Sequence, residues 1–189
     1  MRKQLFSLLI LFSITTQAQI PTLLKDINPS GNSKSRFFRE LKGKTFFIAD
    51  NGVNGDELWV TDGTNLGTKM VKDINPGSAG SGALNGAYRG FGVLNDKLFF
   101  AVQSNASTRS MWVTDGTQAG TVKLKDINTQ SMMPTYHFVE MNNKLFFGAD
   151  DGINGGELWV TDGTANGTVL VKDIHPGISS SYPDGLTVF

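Results

Sequence analysis

The octapeptide ELWVTDGT occupies residues 57–64 and returns unchanged at residues 157–164, with a variant, SMWVTDGT, at residues 110–117. A chain that writes one phrase three times is assembled from units, so its period has to be read before anything else. Lys-Asp-Ile begins at Lys25, Lys72, Lys125 and Lys172, Phe-Phe at Phe46, Phe99 and Phe146, and the tryptophans stand at 59, 112 and 159. Trp and Phe-Phe both step by 53 and then 47 residues, so each unit agrees with the others in its interior. The length difference falls in residues 75–89, a stretch rich in Gly, Ala and Ser, as expected of a surface loop beside rigid elements.

Within a unit the apolar runs are short and closely punctuated. The third unit reads as strands over residues 138–141, 144–149, 157–161 and 168–174, separated by Asn-Asn, a Gly-rich loop and Asp-Gly-Thr. Runs rich in Val, Ile, Phe and Trp and bounded by Gly, Asn and Asp are strands, and these are too short for helices. LFF, LWV and VLV are apolar at adjacent positions, which fits a sheet covered on both faces. Four antiparallel strands per roughly 50 residues is the unit of a β-propeller blade. The expected fold is therefore all-β, a propeller-like array of four-stranded blades over residues 36–74, 87–127 and 137–174.

Lys-Asp-Ile falls on the outer strand, where its charges discourage edge-to-edge pairing. Residues 22–27 then read as an outer strand and residues 186–189 as an inner strand of one split blade. Three complete blades are fewer than the four to eight that close a ring. The expectation is an arc, the front part of a longer protein.

The first eighteen residues read as a leader. Arg2 and Lys3 precede an apolar run from Leu5 to Ile14, and Thr16 and Ala18 supply the small residues of a cleavage site, the pattern of a secretory signal peptide. The run is too short to span a bilayer. Residues 19–189 would form the exported domain, with no membrane insertion once the leader is removed. Cys is absent, so stability rests on packing and hydrogen bonds rather than on disulfides. Lys plus Arg equals Asp plus Glu at 17 each, which provides no single-sign field for nucleic acid.

The phrases GELWVTDGTANGTVLVKDIHPG, residues 156–177, and DELWVTDGTNLGTKMVKDINPG, residues 56–77, resemble the ELWxxDGT repeat proteins, a group of secreted bacterial proteins. The resemblance covers nearly the whole chain after the leader. It implies a propeller-like array at or outside the cell surface, in longer chains often with a C-terminal sorting domain, and it brings no general enzymatic activity. The second unit departs from the pattern at Ser110 and Met111.

A residue that recurs in every unit at one place is structural before it is catalytic, because an active site is needed once. Trp59, Trp112 and Trp159 therefore read as packing between blades, against an alternative of an aromatic platform for sugars. The Asp-Gly-Thr turns at Asp62, Asp115 and Asp162 read as hairpins, with Asp accepting backbone N–H bonds and Gly supplying positive φ. The loops from Asp50 to Glu57 and from Asp150 to Glu157 are rich in oxygen ligands and Gly. They allow a calcium site beside the plainer reading of Asn-Gly turns, and the counterpart at residues 103–110 lacks the carboxylates. His175 stands where other units carry Asn, and His137 opens an inner strand, with no nucleophile motif around either. No phosphate loop or zinc spacing is present.

These readings predict no catalytic, cofactor or metal residues. They point to a secreted, non-enzymatic scaffold or binding module that contacts an extracellular glycan or protein, at the face where residues 75–89 and the Asp-rich loops meet. The alternative is part of a polysaccharide-acting enzyme whose site needs further blades.

Overall fold

The computed structural model describes residues 21–78, 80, 90–103, 108–128 and 138–188. Within them lie three four-stranded antiparallel sheets and no helix. The first sheet holds β1 (Arg36–Leu41), β2 (Lys44–Asp50), β3 (Asp56–Thr61) and β4 (Lys69–Lys72). The second holds β5 (Gly92–Leu94), β6 (Lys97–Gln103), β7 (Thr108–Thr114) and β8 (Val122–Asn128). The third holds β9 (Val139–Met141), β10 (Lys144–Asp150), β11 (Gly156–Thr161) and β12 (Val169–Lys172). Neighbours in each sheet are neighbours in the chain, so every unit is a meander, and none of the sheets closes on itself.

Local chemistry sets the hairpins. The first turn of each sheet places two successive residues at positive φ: Lys42 and Gly43, Asn95 and Asp96, Asn142 and Asn143. That pair of left-handed residues is the type I′ geometry whose twist matches the flanking strands, and Asn, Asp and Gly adopt it at least cost. The outer strand is bulged at the tryptophan in all three sheets, between Leu58 and Trp59, Met111 and Trp112, and Leu158 and Trp159. The extra residues opposite are Val71, Leu124 and Val171. A bulge adds one residue and re-aims the strand.

Alternation along the strands gives each sheet two apolar faces. Phe46, Ile48, Leu58 and Val60 of the first sheet join residues of the second and third sheets in one continuous core. Phe47, Ala49 and Trp59 form a smaller cluster with Ile27 and Met70. We term the Phe46 side the trailing face and the Trp59 side the leading face. The trailing face of one sheet packs on the leading side of the next. A Cβ on Gly116 would stand 3.0 Å from Phe46 Cζ, and one on Gly163 would stand 3.4 Å from Phe99 Cζ. A Cβ on Gly92 would stand 2.5 Å from Leu145 Cδ2, so the inner strand β5 of the second sheet closely approaches β10 of the third.

The lysine of Lys-Asp-Ile crosses these junctions. Lys72 Nζ donates to the Thr121 carbonyl at 2.8 Å and lies 5.6 Å from the centroid of the Trp112 ring. Lys125 Nζ lies 5.7 Å from the Trp159 ring. Each places a cation over an indole face, a contact that adds about 0.5–1 kcal/mol even when solvated. The expectation that this lysine simply charges an outer edge is thus corrected: its main partner is the next sheet.

The tryptophans are core residues, as expected, though unequally: Trp59 and Trp159 are buried and Trp112 is half-buried. All three indole Nε1 groups are buried with no acceptor, so packing holds the rings, joined by an overlying lysine at Trp112 and Trp159.

Two expected strands do not form. Residues 22–27 carry no strand, and neither do residues 186–188; residue 189 lies outside the described residues. The physical reason is pairing: a strand exists through its ladder, and no adjacent middle strand lies beside either segment among the described residues. Lys25 Nζ donates to Thr68 O at 2.7 Å, the counterpart of the Lys72 bond, and Ile27 packs against the cluster of Phe47, Ala49 and Trp59. Leu186 and Val188 line one cleft with Phe146 and Leu158. The expected strand over residues 168–174 is also shorter, ending at Lys172.

Candidate functional site

The Asp-Gly-Thr turn is a closed hydrogen-bond network written three times. Asp62 Oδ1 accepts from Thr64 N at 2.9 Å and Thr64 Oγ1 at 2.7 Å, and Thr64 Oγ1 accepts from Gly67 N at 2.9 Å. Thr68 Oγ1 donates to Thr64 O at 2.7 Å. Asp115 and Thr117, and Asp162 and Thr164, repeat the pattern. These bonds from the Thr hydroxyl and amide hold the Asp62, Asp115 and Asp162 carboxyls below the usual carboxylate range. The closing glycine is required for space. A Cβ on Gly67, Gly120 or Gly167 would stand 1.9, 2.1 and 2.0 Å from the Asp oxygen of its own turn. Sequence reading found the first Gly of the turn and missed this one, although its recurrence at a fixed offset was visible.

Glu57 and Glu157 are the residues whose role sequence reasoning missed altogether. Both are wholly buried. Glu157 accepts from Ile174 N at 3.1 Å, His175 N at 3.3 Å, Ser181 N at 3.1 Å and Ser181 Oγ at 2.6 Å. Burial pushes its carboxyl up, and these four donors outweigh that and hold it below the ordinary value. Glu57 accepts from Asn75 N at 3.3 Å. The carboxylate therefore gathers the backbone that leaves the outer strand. In the second sheet Ser110 stands there and donates to Asp126 Oδ1 at 2.7 Å.

The Asp-rich loops use their oxygens locally. Asp50 Oδ1 accepts from Gly52 N at 2.7 Å, and Asn51 Oδ1 from Val53 N and Asn54 N. In the third sheet Asp150 serves Gly152 N, and Asp151 serves Ile153 N and Asn154 N. These are side-chain-capped turns. Among the described residues no three His, Cys, Asp or Glu side chains gather as a metal-binding group. Part of the second unit's counterpart, residues 104–107, lies outside the described residues.

The outer-to-inner connections share an end with these loops. Asn54 Nδ2 donates to Asp73 Oδ2 at 2.7 Å, and Gly156 N donates to Ser180 Oγ at 2.9 Å. Most of the variable segment at residues 75–89, and His137, lie outside the described residues. His175 is exposed and takes part through its backbone. At the opposite end a cleft of about 360 Å³ opens between the first and second sheets, lined by Lys44, Asp62, Lys69, Val71, Gly116 and Thr117. Its chemistry is two ammonium groups and one carboxylate around an apolar floor. No described helix is long and apolar enough to cross a membrane. The chain matches no family model and no curated protein.

Proposed function

We propose that the protein is an exported, non-enzymatic scaffold or binding module of the ELWxxDGT kind, its sheets arranged like propeller blades. The observation that carries this reading is where the recurring polar groups go. Asp62, Asp115, Asp162 and Glu157 each spend their oxygens on backbone and hydroxyl donors, so the phrase is a building element. Face-to-face packing of successive sheets in one core supports the propeller-like arrangement.

The proposed ligand is an extracellular glycan or the polar surface of a protein. The cleft between the first two sheets is of ligand size, and its lysines suit an acidic group. A glycan array probed with the purified chain, with parallel assay of released sugar, tests the proposal. Binding without turnover that falls in Lys44→Ala and Lys69→Ala supports it. Binding untouched by both variants moves the contact to the loop end, and sugar release contradicts the non-enzymatic reading. Calcium calorimetry tests the loops: on this reading neither heat nor a melting shift accompanies titration.

A further inference from the structure

The two junctions between sheets are built alike, and the cleft of the first departs from the shared plan at two side chains. Lys44 has Lys97 and Lys144 as its counterparts at the start of β6 and β10, and Asp62 has Asp115 and Asp162. Lys72 and Lys125 cross the first and second junctions over Trp112 and Trp159. Lys69 has no such counterpart. It pairs with Val60, where the second and third sheets pair Val113 with Val122 and Val160 with Val169. From the facing sheet the turn at Thr117 brings Gln118 to the cleft, and the matching turn of the third sheet carries Ala165 instead. The second junction, with Phe99 against Gly163, thus repeats the recurring lysine and aspartate alone. The first junction adds a further ammonium and a carboxamide.

We infer that this cleft is a subsite for a sugar carboxylate, a uronic acid residue of an extracellular polysaccharide, and that Lys69 and Gln118 set its specificity. The inference deepens the glycan-binding reading above and rests on it. A residue that recurs in every unit is structural first, so a function needed once belongs where the repeat breaks its own pattern. Lys44 and Lys69 are both exposed, and neither is in an ion pair among the described residues. The cleft's own carboxylate is already engaged, since Asp62 Oδ1 accepts from the amide and the hydroxyl of Thr64, and it sets one negative charge against two positive. A carboxylate entering between the lysines gains charge-assisted hydrogen bonds. Buried Val60 and Val71 form the floor, which suits the C–H face of a pyranose ring. The Gln118 amide can both donate to and accept from a ring hydroxyl. An aspartate or glutamate of a protein partner would use the lysines and leave the amide and the floor without a complement, so the sugar fits better. At about 360 Å³ the cleft has the size of a small-ligand site.

A trisaccharide of galacturonate is the probe, with its methyl ester as the uncharged match, each titrated into the full chain by calorimetry. The acid should bind in preference to the ester. Lys69→Val should weaken the acid by about tenfold and leave the ester unchanged, whereas Gln118→Ala should weaken both alike. Lys97→Ala, at the second junction, should change neither. Lys69→Val and Gln118→Ala install the residue types that the chain already carries at Val122 and Ala165, so the fold accommodates both. Equal binding of acid and ester, or an acid unaffected by Lys69→Val, would overturn the inference while the glycan-binding reading stands. Release of sugar with the Lys69 dependence intact would support the subsite and contradict the non-enzymatic reading. A sulfated trisaccharide or an oligoglutamate bound as tightly, with the same dependence on Lys69, would assign the cleft to anions in general or to an acidic protein segment and overturn the sugar carboxylate. Binding of neither trisaccharide overturns the inference, and the glycan array then decides the wider reading by itself.

Discussion

The second and third sheets share a plan and part in the recurring phrase at Ser110 against Glu157, with the apolar exchange of Met111 for Leu158 beside it. Where Glu157 stands, its carboxylate gathers the amides of Ile174, His175 and Ser181, and the outer strand stops at Lys172. Where Ser110 stands, the short hydroxyl reaches only Asp126, and the outer strand runs on to Asn128, paired as far as Thr108. The first sheet has Glu57 and a short outer strand ending at Lys72, in line with the third. A buried carboxylate next to backbone amides competes with the ladder for them, and the ladder ends where the carboxylate wins.

The largest expected difference between the two sheets lies at the tryptophans. Trp159→Ala should destabilise by about 3–5 kcal/mol as a large-to-small change in a buried site. Trp112→Ala should cost clearly less, because that ring is half-buried; urea unfolding of both variants measures the gap. Equal losses would show that burial does not rank them.

Next in size is the pair that defines the comparison. Glu157→Ala deprives four donors of their acceptor and should cost about 3 kcal/mol, against about 1 kcal/mol for Ser110→Ala. Amide exchange should report faster opening at Ile174, His175 and Ser181 in the first variant alone. Protection unchanged at those three amides would remove the role assigned to the carboxylate.

Gly167→Ala and Gly120→Ala sharpen the contrast by being alike. Each added methyl displaces the Asp oxygen of its turn and should cost about 2 kcal/mol. A twofold difference between them would mean that the turns are not equivalent, and thermal melts suffice to see it.

The smallest effect is on acid stability. Glu157 has a folded-state value below its ordinary 4.5, so its stabilisation is complete above that value and is lost as pH falls through the lowered one. Glu157→Gln should flatten that part of the pH–stability curve. Asp126 is also lowered, by Ser110 first and then Lys123, but its side chain is 58% exposed. Solvent screening makes Asp126→Asn the lesser change.

How legible this was in the sequence depends on the range of each interaction. Strand order, the Asn142-Asn143 turn and the Asp-Gly-Thr turns were readable, because period, turn residues and local hydrogen bonds all lie within a few positions. Burial of Trp59 and Trp159 followed from recurrence. The reach of Lys72 to Thr121 and Trp112 was not readable, since it joins two units and depends on how their faces meet. Glu157 was hidden for a related reason: at the end of the Asp150 to Glu157 loop it reads as one more loop oxygen until the returning backbone is placed over it. Residues 22–27 read as a strand because Lys-Asp-Ile recurs there, yet recurrence supplies no partner for the ladder.

Successive sheets pack face to face, with Phe46 seated on Gly116. Nuclear Overhauser spectroscopy of the purified chain tests that contact directly. Cross-peaks from the Phe46 ring to the Gly116 α-protons, with those protons shifted upfield by the ring, are the predicted result; a Gly116 that sees only its own turn and solvent would contradict it.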